Sequence, residues 1–370
     1  MEELRSFFVD NAPASLMWAG LAIGIAFGAI VFRTNFCTMG GISDMLSFGD
    51  TRRFRAWLLA IAVAMIGTQT IQYAGFVDTN TSMYIGSTFT WLGHVLGGLL
   101  FGFGMVFSGG CASRNVARVG GGDLRALFTL VVMGLFAYMT IGGIFGLLRQ
   151  STQQLMAVDM EDMGQETTNL GTAASAAFGL DPATGGLMFA LIFGLVTIGF
   201  CFAEPRFRSS WTNILAGVGI GLCIVAGWAA TGLAFDEFAD TVVSPISLTF
   251  VRPSGDTLEW MQRSTAVGLP SFGVATVFGG MLGAFLMAMA MGRFRLQTFT
   301  DTSDTLRTLF GAALMGIGGV TALGCTVGQA MTGISTLAIG SFVTFAAIVA
   351  GAVFGVRALE YQLMRQAEAT

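Results

Sequence analysis

The stretch LLFGFGMVFSGGC, residues 99–111, has a counterpart further along the chain, ALMGIGGVTALGC, residues 313–325. Aligned on their last cysteines, the two segments share a G-x-G-x-V pattern and a closing Gly-Cys pair, with the matches Gly102/Gly316, Gly104/Gly318, Val106/Val320, Gly110/Gly324 and Cys111/Cys325. A carboxamide stands four residues beyond each cysteine, Asn115 in the first segment and Gln329 in the second. The match predicts an internal repeat.

The repeated segments lie in a strongly apolar chain. Hydrophobic residues make up 54% of the 370 residues, and charged residues only 11%, against roughly 25% in soluble domains. The mean hydropathy is +0.73. We therefore predict an all-α, polytopic integral membrane protein, and the net charge of −4 excludes nucleic acid as an expected partner. About 20 apolar residues cross a bilayer core, and about nine spans are predicted, at 16–32, 56–76, 91–107, 126–148, 184–203, 211–230, 271–291, 308–324 and 335–356.

The arginines predict the orientation of these spans, because basic residues accumulate in cytoplasmic loops. With the N-terminus outside and the C-terminus in the cytoplasm, most of the 18 basic residues, all arginine, fall on the cytoplasmic side of the cell inner membrane. The two GC segments then run in opposite directions, so the repeat is inverted. We predict one membrane domain, 1–370, with repeat halves at 14–148 and 211–358, joined by an external loop and connecting span at 149–210.

The GC segments also predict interrupted helices. Spans 91–107 and 308–324 hold only 17 residues each, or about 26 Å of helix at ~1.5 Å per residue, short of a core of about 30 Å. Interrupted backbone at membrane depth must be buried in protein or line a cavity. Short broken or re-entrant helices that begin there direct N–H groups and a positive dipole end into the cavity, which favours an anion. Inverted repeats with broken helices are typical of transporters.

Three stretches resemble the YeeE/YedE family of sulfur-transport membrane proteins: RTNFCTMGGISDMLSFGDTRRFRAWLLAIAVAMIGTQ (33–69), FSGGCASRNVARVGGGDLRAL (107–127) and LMGIGGVTALGCTVGQAMTGISTLAIGS (314–341). The resemblance implies an inverted-repeat fold with a central path and inner-membrane uptake of thiosulfate or a related sulfur anion. It also implies that cysteines along the path contact the anion. By motif these are Cys37, Cys111 and Cys325. We expect a sulfur carrier of the TusA-like type to be a separate cytosolic partner, since no further domain follows the last span.

Residues beside the three cysteines are candidates to line the same path: Gly110, Asn115, Gly324, Thr326 and Gln329. We expect the thiols to act as neutral S–H donors, because a thiolate cannot donate a hydrogen bond and repels an anion. The remaining cysteines, Cys201 and Cys223, stand in ordinary span contexts and are interpreted as small buried hydrophobes. No cofactor is expected, and no metal site is indicated.

Two other functions stay open at this stage. One is a membrane-embedded sulfurtransferase that forms a cysteine persulfide, which requires an activating base near a thiol. The single histidine, His94, is not near any cysteine motif in sequence, so an enzyme is not expected. The other is a channel for small anions or selenium compounds in which the cysteines are incidental. Replacing the cysteines discriminates between these functions and thiol-assisted uptake.

Overall fold

The computed structural model describes residues 2–237, 243–299 and 301–368. The first half of the chain forms α1 Glu2–Asp10, α2 Ala12–Thr34, α3 Thr38–Phe48, α4 Arg52–Tyr73, α5 Trp91–Phe107, α6 Ala112–Gly120, α7 Leu124–Ile141 and α8 Gly146–Gln154. The second forms α9 Leu170–Phe178, α10 Pro182–Ala203, α11 Pro205–Arg208, α12 Trp211–Leu233, α13 Val251–Val267, α14 Phe272–Ala290, α15 Thr302–Thr321 and α16 Ile339–Glu368. Strands β1 Thr88–Phe89 and β2 Val158–Asp159 pair antiparallel. The predicted all-α polytopic architecture is confirmed.

Eight helical segments in the described residues are long and apolar enough to cross a membrane. They correspond to eight of the nine predicted spans. The predicted span 308–324 differs: the chain forms α15 there, but α15 begins with polar turns that contain Asp304 and Arg307. Its apolar portion is therefore shorter than a bilayer-spanning helix requires.

Small residues bring the long helices into backbone contact. A Cβ on Gly28 of α2 would collide with the carbonyl of Gly280 on α14, and a Cβ on Gly283 with the carbonyl of Ile25. The same close approach joins α5 and α16, where a Cβ on Gly102 would collide with the carbonyl of Ile348. Glycine at these positions lets the helices pack by van der Waals contact, which is the main source of helix association in lipid.

The order of helix packing follows the pattern that the predicted inverted repeat requires. Helix α2 packs on α14 and α12 packs on α4, while α5 packs on α16 and α15 packs on α7. The predicted repeat relates α2 to α12, α4 to α14, α5 to α15 and α7 to α16. Under this exchange the α2/α14 contact becomes the α12/α4 contact, and the α5/α16 contact becomes the α15/α7 contact. The pairs α2/α12 and α5/α15 also contact each other. This exchange supports repeat halves at 14–148 and 211–358, which stay a prediction.

The connections 149–183 and 231–270 contain regular secondary structure. Loop 149–183 contributes β2 and α9, and Leu170 and Ile339 hydrogen-bond through their backbones to Leu337 and Thr168. Loop 231–270 contains helix α13, which packs on α7 and α14. Helix α13 is not among the predicted spans, because its charged residues hide it from a hydropathy pattern. Residues 238–242 of this loop lie outside the described residues.

Candidate functional site

The first candidate thiol, Cys111, stands where α5 is interrupted. Helix α5 ends at Phe107, and Gly109 and Gly110 follow with φ angles of 73° and 157°. Residues that carry a Cβ rarely adopt such backbone angles, which explains why both positions are glycine. The chain then turns so that Cys111 becomes the N-cap residue of α6, with its side chain buried. The break thus places a thiol at the start of a short helix.

The second thiol, Cys325, stands in the corresponding break after α15. Leu323 adopts a φ of 62°, a left-handed conformation that is costly for a branched apolar residue. The Gly324 N–H donates to the carbonyl of Gly319 at 2.7 Å. A π-helical turn, Gly328–Gly333, follows the cysteine. The Gly328 N–H donates to Cys325 Sγ at 3.3 Å, so this thiol also caps a turn of helix.

Cys37 has the same local geometry although it lies outside the GC repeat. Helix α2 ends at Thr34, and Asn35 is left-handed with φ 55°. Cys37 is the N-cap of α3, and its Sγ accepts the Gly40 N–H at 3.5 Å. All three cysteines that the sequence singled out therefore precede short helical turns. Each presents its sulfur close to backbone N–H groups.

The three breaks meet inside the protein. The Cys37 and Cys111 side chains lie next to each other. Cys325 lies near Cys111 and near the backbone of Phe250, the N-cap residue of α13. We call Cys37, Cys111 and Cys325 the thiol cluster. Its members come from three separate segments of the chain and all are buried.

The two carboxamides stabilise the breaks. Asn115 Nδ2 donates to the carbonyls of Gly110 and Cys111 at 3.0 and 3.2 Å. Its Oδ1 accepts from Arg118. Gln329 Nε2 donates to the Ala322 carbonyl at 2.6 Å, and its Oε1 accepts from Ser341. Both carboxamides therefore satisfy helix-end groups, so their donors are already engaged.

Two hydroxyls at the cluster are buried without an acceptor or donor. Thr326 Oγ1 lies beside Cys111 but forms no hydrogen bond of ordinary geometry with the described residues, and Tyr84 Oη, which lies near Cys325, forms none either. A buried polar group left unpaired costs about 1–3 kcal/mol, so each is a candidate donor to a ligand. Thr326 was predicted as a path residue. Tyr84 was not, because it lies in a connection without any motif and reaches the cluster only through the fold.

A cavity with two arginines approaches the cluster from one side. It has a volume of about 180 Å³ and is lined by Arg149, Arg252, Thr249 and Gly324, among others. Gly324 precedes Cys325, so this two-arginine cavity ends at the second break. Gly110, the corresponding residue of the first break, is buried.

A second, larger polar cavity lies beside Arg114, three residues after Cys111. Its volume is about 450 Å³, and its lining includes six arginines, Arg33, Arg114, Arg118, Arg125, Arg293 and Arg295. Arg114 lies near both Cys37 and Cys111, so this six-arginine cavity adjoins the cluster. Asp123 also lines it. Burial raises the pKa of Asp123, but hydrogen bonds from Arg125 and the charge of Arg118 outweigh burial and lower that pKa overall, so the carboxylate stays ionised.

The other cysteines and the histidine lie in packing contacts. Cys201 Sγ donates to the Arg55 carbonyl at 3.3 Å, and Cys223 is buried within α12. His94 Nδ1 forms a hydrogen bond of 2.7 Å with Thr344 Oγ1, between α5 and α16.

Comparison with known proteins gives matches over most of the chain. The family described as Sulphur transport matches residues 33–354. A thiosulfate transporter, TsuA, of Spirochaeta thermophila is 29% identical over 88% of this chain and 94% of its own length. TsuA of Escherichia coli is 30% identical over 86% of this chain and 87% of its own length. A probable transporter, YedE, of Escherichia coli is 34% identical over 29% of this chain and 25% of its own length.

Proposed function

Because the chain belongs to the sulphur transport family, we propose that it carries thiosulfate, or a closely related sulfur anion, inward across the cell inner membrane through the thiol cluster. It is a multi-pass membrane transport protein and not an enzyme. The relatives named as thiosulfate transporters support the choice of substrate.

One observation carries this proposal: three buried thiols from separate chain breaks form a single cluster beside two cavities that both contain arginine. A dianion that leaves water for a low-dielectric interior loses a large hydration energy. The path must therefore offer donors and avoid fixed negative charge. The groups around the thiols supply such donors, namely backbone N–H groups, the Thr326 and Tyr84 hydroxyls and the Arg114 guanidinium.

In the proposed sequence of contacts, the anion enters the two-arginine cavity and passes from Cys325 to Cys111 and Cys37. It leaves through the six-arginine cavity. Neutral thiols assist by donating weak S–H hydrogen bonds, and the soft sulfur atoms suit the terminal sulfur of thiosulfate. The arginine distribution supports an external N-terminus, a cytoplasmic C-terminus and a six-arginine cavity open to the cytoplasm. A separate TusA-like carrier would then receive the anion there.

Uptake of labelled thiosulfate into proteoliposomes that contain only this protein tests the proposal. We expect Cys111→Ala and Cys325→Ala to lower uptake by about tenfold or more, since each removes a donor worth about 1.4 kcal/mol or more to the crossing anion. Cys223→Ala is the matched control, because it removes a buried thiol outside the cluster, and it should retain wild-type uptake.

Two results would contradict the proposal in different ways. Wild-type uptake by both cluster variants would favour a channel with incidental cysteines. A stoichiometric gain of one sulfur atom on Cys111 or Cys325 during turnover, seen by mass spectrometry of the intact protein, would favour the sulfurtransferase instead.

A further inference from the structure

The six-arginine cavity holds more positive charge than its surroundings neutralise. Among the described residues that line it, Asp123 is the one carboxylate, and two arginines share it: Arg118 lies 2.7 Å from it and Arg125 3.2 Å. Arg125 also lies 3.9 Å from Asp304. Among the described residues, no carboxylate pairs with Arg33, Arg114, Arg293 or Arg295. Like charges in one cavity repel, and a small anion would relieve that repulsion.

Arg114 has the least ordinary setting of these side chains. It is half-buried on the first turn of α6, next to the thiol cluster, and makes no side-chain hydrogen bond with the part of the chain that the structure describes. A partly desolvated cation without a partner is unfavourable. A guanidinium carries five N–H donors in a planar fork that fits two oxygens of an oxyanion. An oxyanion bound to Arg114 would therefore neutralise its charge and fit its donor geometry.

The walls of the cavity are fixed by backbone hydrogen bonds. The N–H groups of Arg295 and Gln297 donate to the carbonyls of Gly121 and Gly122 at 3.1 and 3.0 Å, and the Leu124 N–H donates to the Gln297 carbonyl at 2.9 Å. These bonds tie the turn between α6 and α7 to the segment after α14. Backbone held in this way loses little freedom when a ligand binds, which favours affinity.

We infer that the six-arginine cavity is a second anion site, which binds divalent tetrahedral oxyanions through charge and oxygen contacts and does not distinguish sulfate from thiosulfate. Arginine donors contact oxygens, which both anions present, whereas only thiosulfate carries a terminal sulfur for the thiols. Sulfate on the side of this cavity therefore competes with arriving thiosulfate and slows uptake. The competition rests on the proposed function, but the binding of sulfate does not.

Calorimetric titration of sulfate into the purified protein in non-ionic detergent tests the binding directly. We expect one saturable site in the wild-type protein and in a variant with Cys37, Cys111 and Cys325 all replaced by alanine. Arg114→Gln should weaken binding by about tenfold, which corresponds to about 1.4 kcal/mol. Arg208→Gln is the matched control, since Arg208 is an exposed arginine of α11 that does not line the cavity, and it should bind sulfate normally.

Binding that is unchanged in Arg114→Gln, or lost when the thiols are removed, would overturn the inference. Because a lipid phosphate presents similar oxygens, the titration is repeated in nanodiscs with and without anionic phospholipid. A site that accepts anionic lipid and never free sulfate would also overturn it. Equal circular dichroism spectra and thermal midpoints for all variants show that any loss of binding is local.

Transport measurements in proteoliposomes provide a second test of the inference. In proteoliposomes with the C-terminus facing inward, sulfate sealed inside should slow thiosulfate uptake compared with chloride at equal ionic strength, and Arg114→Gln should lose this difference. Sulfate added only outside should have a smaller effect. If the wild-type protein moved no thiosulfate at all, the proposed function would fail while the calorimetric result still decided whether the second anion site exists.

Discussion

At the scale of single residues, the candidate site could be predicted from sequence where two segments of the chain share the same motif. Cys111 and Cys325 follow from the shared Gly-Cys break, but Cys37 has no sequence counterpart. The structure gives the reason: Cys37 is the N-cap of α3 and lies next to Cys111, while the backbone of Phe250, the N-cap of α13, lies near Cys325. The predicted repeat thus pairs a thiol with main-chain atoms at these positions, which a sequence alignment does not reveal.

Thr326 offers a test at the same scale. Its buried hydroxyl has no partner of ordinary geometry in the described structure, so Thr326→Val should leave the thermal midpoint unchanged or raise it, while uptake of thiosulfate falls. The matched control is Thr332→Val, because the Thr332 hydroxyl is equally buried but donates to the Leu248 carbonyl at 2.7 Å. That change should cost about 1–3 kcal/mol of stability. Normal uptake by a stable Thr326→Val protein would remove the hydroxyl from the path.

At the scale of helices, hydropathy predicted the apolar spans but missed a helix that carries charged residues. The apolar runs correspond to eight spanning helices, because a run of about 20 apolar residues has few other stable arrangements. Helix α13 escaped prediction since its ion pairs, such as Arg263 with Glu259 at 2.8 Å, give it the composition of a loop. The two breaks were predictable from glycine, but the π-helical turn after Cys325 depends on packing that a single sequence does not report.

The contact between α2 and α14 gives a prediction for stability. Gly28→Ala places a methyl group against the Gly280 carbonyl, and overpacking of this kind should cost about 1–3 kcal/mol. Gly199→Ala is the control, because an added Cβ on Gly199 meets open space on α10. Thermal unfolding in detergent measures both variants. Equal midpoints would mean that α2 and α14 can separate without loss.

At the scale of the whole molecule, the arginine distribution makes a prediction about orientation. An epitope tag at the N-terminus should be accessible to antibody on intact spheroplasts, whereas a tag at the C-terminus should become accessible only after permeabilisation. A cytoplasmic marker protein serves as the control for leakage. The opposite pattern would place the six-arginine cavity outside and would reverse the proposed direction of passage, although the helix packing would be unaffected.

The unequal numbers of arginines in the two cavities also constrain the kinetics of transport in the two directions. Without coupling to an energy source and at zero membrane potential, influx and efflux of the dianion must balance at equal concentrations, whatever the asymmetry of the molecule. Six guanidinium groups hold a dianion more strongly than two, so the half-saturating concentration should be lower for efflux than for influx. The maximal rate of efflux must then be lower by the same factor. At a saturating concentration of the anion, the protein would therefore carry it into the cell faster than it would carry it out.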